Sequence, residues 1–160
     1  MFGLSQNEHA TKALRSGAKA AMIGGYFHHT EAAQFGLNDD ASAYLYTKAM
    51  VHQIHALAFI SGKALSGKAW ADWDFFVRAV VAGISEGDKE FGLSVSPLVP
   101  VIFKRIMEFQ SMPTSSTRET YVDSAKRVKE RDHRADEAAI CDALEGATMK
   151  YLANVVRMFE

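Results

Sequence analysis

Of the six histidines in this chain, four lie near one lysine on a helical pattern, and these are the residues best placed for chemistry. In the stretch 41–60, ASAYLYTKAMVHQIHALAFI, Tyr44, Lys48, His52, His55 and Phe59 fall on one narrow helix face. His52-x-x-His55 sets two imidazoles one turn apart, a spacing a metal can use. His28 and His29 come earlier. A turn centred between Leu37 and Asn38 would put His52 level with Ile23, leaving His28 about 7 Å away along the axis. Structural metal sites need three or four convergent ligands, so the expectation is no metal and no cofactor. Lys48 makes the stronger demand. Burying an unpaired ammonium costs several kcal/mol, so the stripe must meet solvent, a carboxylate or a ligand. Glu31, level with Tyr44 in the same register, is the candidate ion-pair partner. Tyr44, Lys48, His52, His55 and Glu31 are therefore the candidate ligand-binding set.

Two further patterns are weaker. Residues 62–68, GKALSGK, fit the phosphate-loop spacing G-x-x-x-x-G-K, but Ala69 stands where a magnesium-holding hydroxyl belongs. The match also follows a helix instead of a strand, which favours a connector capped by Gly62 and Ser66. Glu130-x-x-His133 has the spacing of carboxylate-bridged di-iron bundles, without the second such pair or the two further glutamates they need. Cys141, the lone cysteine, reads as a small apolar residue.

Residues 118–137 carry six basic and six acidic side chains. Pairs such as Asp123–Arg127, Lys126–Glu130 and Glu130–Arg134 sit four apart. Lys126, Arg127, Glu130, Arg131 and Arg134 make this a candidate docking surface, and Phe91 in the Gly/Ser-rich stretch 86–96 a second. Mixed-sign charge confers partner specificity more than affinity.

The elements that must position these residues read as helices. Ser5 and Glu8 form a capping box opening a first helix, which Gly24–Gly25 should bend or break. A short helix at 26–35 ends at Gly36 in a left-handed cap. Asn38 caps the apolar helix, with Asp39 and Asp40 meeting its positive end. Trp70, Trp73, Val77, Val80, Val81 and Ile84 stripe a helix at 67–85. Residues 86–96 are the least helical part, and Pro97 and Pro100 open a helix through about Gln110. Ser116 and Glu119 open the last helical region, with Tyr121, Ala125, Val128, Ala135 and Ala139 as its thin apolar seam. Asp132 interrupts the seam. Gly146 should mark a bend before a final segment that turns Met149, Leu152, Val155, Val156 and Phe159 inward.

The expected fold is all-α: a single domain over 1–160, with five to seven helices around a central buried helix at about 39–61. A formal charge of −1, from 18 basic and 19 acidic residues, argues against a nucleic-acid partner. No secretory leader or membrane span is read, and one cysteine suits a reducing compartment, so the expected location is cytoplasmic. A homo-oligomer would help cover the central helix and Trp70/Trp73. Lacking a catalytic constellation, the chain is expected to be a non-enzymatic protein-binding module such as an adaptor, regulator or neutralising partner. The alternative is a bundle that binds a small ligand or metal through Tyr44, Lys48, His52 and His55.

Overall fold

Six α-helices and two short 3-10 turns account for nearly all of the computed structural model, which describes residues 2–32, 35–64, 73–110 and 117–159. They are α1 (Phe2–Ala32), α2 (Asp39–Ala64), α3 (Trp73–Phe91), α4 (Val99–Gln110), α5 (Thr117–Arg131) and α6 (Glu137–Val156). No strand occurs among the described residues, and the fold is an all-α bundle. None of these helices is long and apolar enough to cross a membrane.

Helix α2 is the hub. Leu45, Met50, Val51, Ile54 and Leu57 are fully buried on different sides of it, and α1, α4, α5 and α6 all pack against it. A helix apolar on most sides needs such cover, and here it comes from within one chain. Its start is fixed chemically. The Asn38 side-chain oxygen accepts from the Ala41 backbone N–H at 2.8 Å, and Asp39 and Asp40 occupy the first turn.

Helix α1 departs from expectation at both ends. It begins at Phe2, so the Ser5–Glu8 box lies inside it, and it continues through Gly24–Gly25 to Ala32. Glycine costs a helix about 1 kcal/mol per residue, but packing outweighs that here. Gly17 lies against Leu57 and Gly24 against Gln53, so close that a Cβ on either would collide. Close approach to α2 accompanies an α1 that stays helical where propensity alone would break it. These contacts lie within a turn of the expected register. Gly36 does adopt the left-handed conformation, with φ +65°, in the turn before α2.

Helix α3 runs about six residues further than the expected end at 85, through 86–91, leaving only 92–95 irregular, while the expected start at 67–72 and Trp70 lie outside the described residues. Its buried ridge is Phe76, Ala79, Val80, Gly83, Ile84 and Gly87, while Trp73 is 38% exposed and Val81 also faces outward. Small residues set this phase. Gly83 and Gly87 abut Arg15 and Met22 of α1, and the bulkier side chains flank that contact. The Asp88 carboxylate then ties the turn, accepting from the Val95 and Ser96 backbone N–H groups at 2.8 and 2.9 Å.

Gly146 does not interrupt α6; the break falls earlier, at 132–136. Asp132 causes it. Its buried carboxylate accepts from the Asn38 N–H at 2.8 Å and from the backbone and side chain of Arg134. Asn38 also donates to the Arg131 carbonyl, so the end of α5 is tied to the start of α2. Helix α6 buries Ile140, Cys141, Leu144, Thr148, Tyr151 and Val155 and leaves Met149 60% exposed, with Val156 also outward. Tyr151 sets that phase by donating to the Gly17 carbonyl of α1 at 2.7 Å. Tyr121, Ala125, Val128 and Ala135 pack with Ala41, Leu45 and Ala49 of α2 in a second core cluster.

Candidate functional site

The polar stripe on α2 is not a wet edge. Lys48 is 1% exposed and His52 2%, because α4 and α5 lie over them. His52 Nε2 makes a 2.8 Å hydrogen bond with Ser124 Oγ, and its ring packs on Phe109 and Tyr121 at 4.7 and 4.5 Å between centroids. Burial, then the charge of Lys48 and then His55, hold its pKa well below the usual histidine value. His52 is thus a neutral core histidine with its hydrogen bond satisfied. His55 is half-buried against Phe109, and burial lowers its pKa too. In a titration followed through imidazole resonances, the His52 midpoint should lie well below the value near 6.5 of a free histidine. Because its folded pKa is depressed, His52 contributes stability that is lost as pH falls below that value. A midpoint near 6.5 would show that the ring is not enclosed.

Lys48 is the unusual group. Its ammonium lies 4.8 Å from the centre of the Phe109 ring and 5.6 Å from that of Tyr44. Among the described residues no carboxylate pairs with it. Ring faces attract a cation, but they do not neutralise it. Burial foremost, then the positive charge of Arg105, push its pKa down to about 8; Arg127 acts in the same sense, and Asp123 and Glu108 oppose it. The side chain of Glu31, the partner expected from the sequence, lies outside the described residues, as do those of His28 and His29.

Beside Lys48 is a cleft of about 240 Å³ between α2, α4 and the end of α5. Tyr44, Thr47 and Lys48 form its α2 wall, Val101 and Arg105 its α4 wall, and Arg131 and Asp40 its rim. Three cations therefore face one carboxylate. Arg131 stacks over the Tyr44 ring at 4.2 Å and pairs with Asp40 at 3.1 Å. Arg105 pairs with Glu108 at 3.2 Å. The Tyr44 hydroxyl is buried and finds no hydrogen-bond partner among the described residues. Burial raises its pKa, against the pull of Arg105, Arg127 and Arg131, so the phenol keeps its proton. Leaving a buried hydroxyl unsatisfied costs about 1–3 kcal/mol.

Arg105 was not singled out from the sequence. It stands three residues after Ile102 and four before Phe109, a cation on the buried side of an amphipathic helix, as Lys48 is on α2. That repeated anomaly was available as a signal.

The other candidates are dispersed. Arg127 pairs with Asp123 at 3.0 Å, while Arg134 turns to Asp132 instead of Glu130. Arg118 bridges to Asp142 and Glu145 of α6. Lys126 and Glu130 are exposed on α5, His133 lies beyond its end, and Phe91 closes α3 at the surface. No group of three His, Cys, Asp or Glu side chains among the described residues is placed to hold a metal. Most of the phosphate-loop match, at 65–69, lies outside them. Compared with known proteins, this chain matches no family model, no curated protein and no solved structure.

Proposed function

We propose that this chain is a small-anion-binding helical module, with Tyr44, Lys48, Arg105 and Arg131 as the binding groups. The observation that carries this reading is the unpartnered, buried Tyr44 hydroxyl beside a cleft that Tyr44 lines with a buried lysine and two arginines. An acidic ligand accepts from the phenol, neutralises Lys48 and gives the guanidinium groups a bidentate partner. The cleft is smaller than the ~300–1,000 Å³ typical of drug-sized sites. That size favours an organic acid of a few carbons over a nucleotide. Calorimetric titration with lactate should show binding that Arg105→Gln weakens about tenfold or more, the loss of one charge-assisted hydrogen bond of roughly 1.5–3 kcal/mol. Heats that are absent, or unchanged by Arg105→Gln and Tyr44→Phe, would refute it.

A second reading is the non-enzymatic protein-binding role expected from the sequence. It is favoured by the exposure of Phe91, Lys126 and Glu130. Against it, Arg127 and Arg134 are engaged within the chain.

A further inference from the structure

We infer that the amine of Lys48 forms a reversible imine with a small 2-oxo acid seated in the cleft, an inference that rests on the anion-binding reading above. Geometry supplies each part. Lys48 forms part of the cleft wall, its ammonium lies over the Phe109 and Tyr44 rings, and no carboxylate among the described residues pairs with it. Arg105 and Arg131 line the same space as Lys48 and can hold a carboxylate beside it. Burial with Arg105 and Arg127 nearby lowers its pKa to about 8, with Glu108 and Asp123 opposing. Near pH 7 about a tenth of it is then free amine, against fewer than roughly one in a thousand for an exposed lysine. A lysine desolvated beside other cations is the usual way a protein activates an amine towards a carbonyl.

The step balances without any oxidant or reductant. The Nζ lone pair forms the new N–C bond while the carbonyl π pair moves to oxygen, and the nitrogen gives up a proton. The alkoxide takes up that proton, the resulting hydroxyl is protonated and leaves as water as the C=N bond forms, and the nitrogen then gives up its second proton. Amine and carbonyl yield imine and one water. The Tyr44 hydroxyl, protonated and free of other partners among the described residues, can give the departing hydroxyl its proton and take back the one the nitrogen sheds.

The test incubates the full chain with pyruvate and sodium cyanoborohydride, then maps reduced adducts over its ten lysines by mass spectrometry. Lactate, which has the acid but no carbonyl, serves as the unreactive competitor. Lys48 should be modified about tenfold faster than any exposed lysine, and lactate should slow it. Lys48→Arg keeps the charge but has no amine to condense, and should remove the fast adduct. Equal modification of all lysines, or a Lys48 adduct that lactate does not slow, would overturn the inference. If Lys48 stays unmodified while lactate still binds, only the imine fails. If lactate does not bind either, the anion-binding reading falls with it.

Discussion

Lys48→Met should give a protein about 1–2 kcal/mol more stable at pH 7 that no longer binds small anions. Folding takes the Lys48 pKa from 10.5 to about 8, and at 1.36 kcal/mol per unit this is a cost of about 3 kcal/mol to the charged folded state. Methionine fills similar space without the charge, but it forfeits the ring contacts with Phe109 and Tyr44, worth about 1–2 kcal/mol. The difference is the expected gain. The pH dependence has a defined sign. Below about pH 8 both folded and unfolded chains carry the proton, and the full cost is present. Between about 8 and 10.5 the unfolded chain holds the proton more tightly, so wild-type stability rises with pH. The gap between variant and wild type should therefore narrow over that window. Tyr44, Tyr121 and Tyr151 have raised pKa values, which lower stability above about pH 10, so denaturant melts at pH 7 to 9.5 are the cleanest comparison. A variant less stable than wild type at pH 7 would show that Lys48 is compensated in the free protein.

Gly83→Ala is expected to destabilise by about 1–3 kcal/mol, although alanine is the better helix former by roughly 1 kcal/mol. A Cβ at 83 would lie 2.7 Å from the Arg15 carbonyl oxygen and 2.9 Å from its Cα. Both are backbone atoms of α1, so relief requires the helices to separate rather than a side chain to turn. Gly146→Ala in α6 is the matched control, since a Cβ there meets nothing within 4 Å. It should stabilise by about 1 kcal/mol. The same substitution in two helices thus carries opposite signs. Similar effects at both positions, measured by urea denaturation, would contradict the α1–α3 contact.

These two residues show what the sequence could reveal. The all-α class, the hub at 39–61 and its Asn38 cap were legible because they rest on local rules: periodicity, propensity and capping. The phases of α3 and α6 were not. Gly24 and Gly87 fall in stretches expected to break or lack helix, but each is a point where one helix rests on another, and this cannot be known until the neighbour is placed. Tyr151 follows the same logic, since its position is set by a carbonyl more than a hundred residues away. Asp132 interrupted an apolar seam, and that interruption was the true helix boundary, stronger than the glycine at 146. At the candidate site, Tyr44 and Lys48 were marked by burying polarity on an apolar helix. His52 belonged to the same stripe, but Ser124 turned it into a core residue. Arg105 entered only through the packing of α4 over α2.

The most direct measurement is an NMR titration of the lysine side chains, carried out with and without lactate. The account predicts one lysine among ten with a midpoint near 8 in the free protein, lost in Lys48→Met and moved upward by lactate, because a bound anion favours the charged amine. Ordinary midpoints for all ten, or a low midpoint that lactate leaves unmoved, would contradict it.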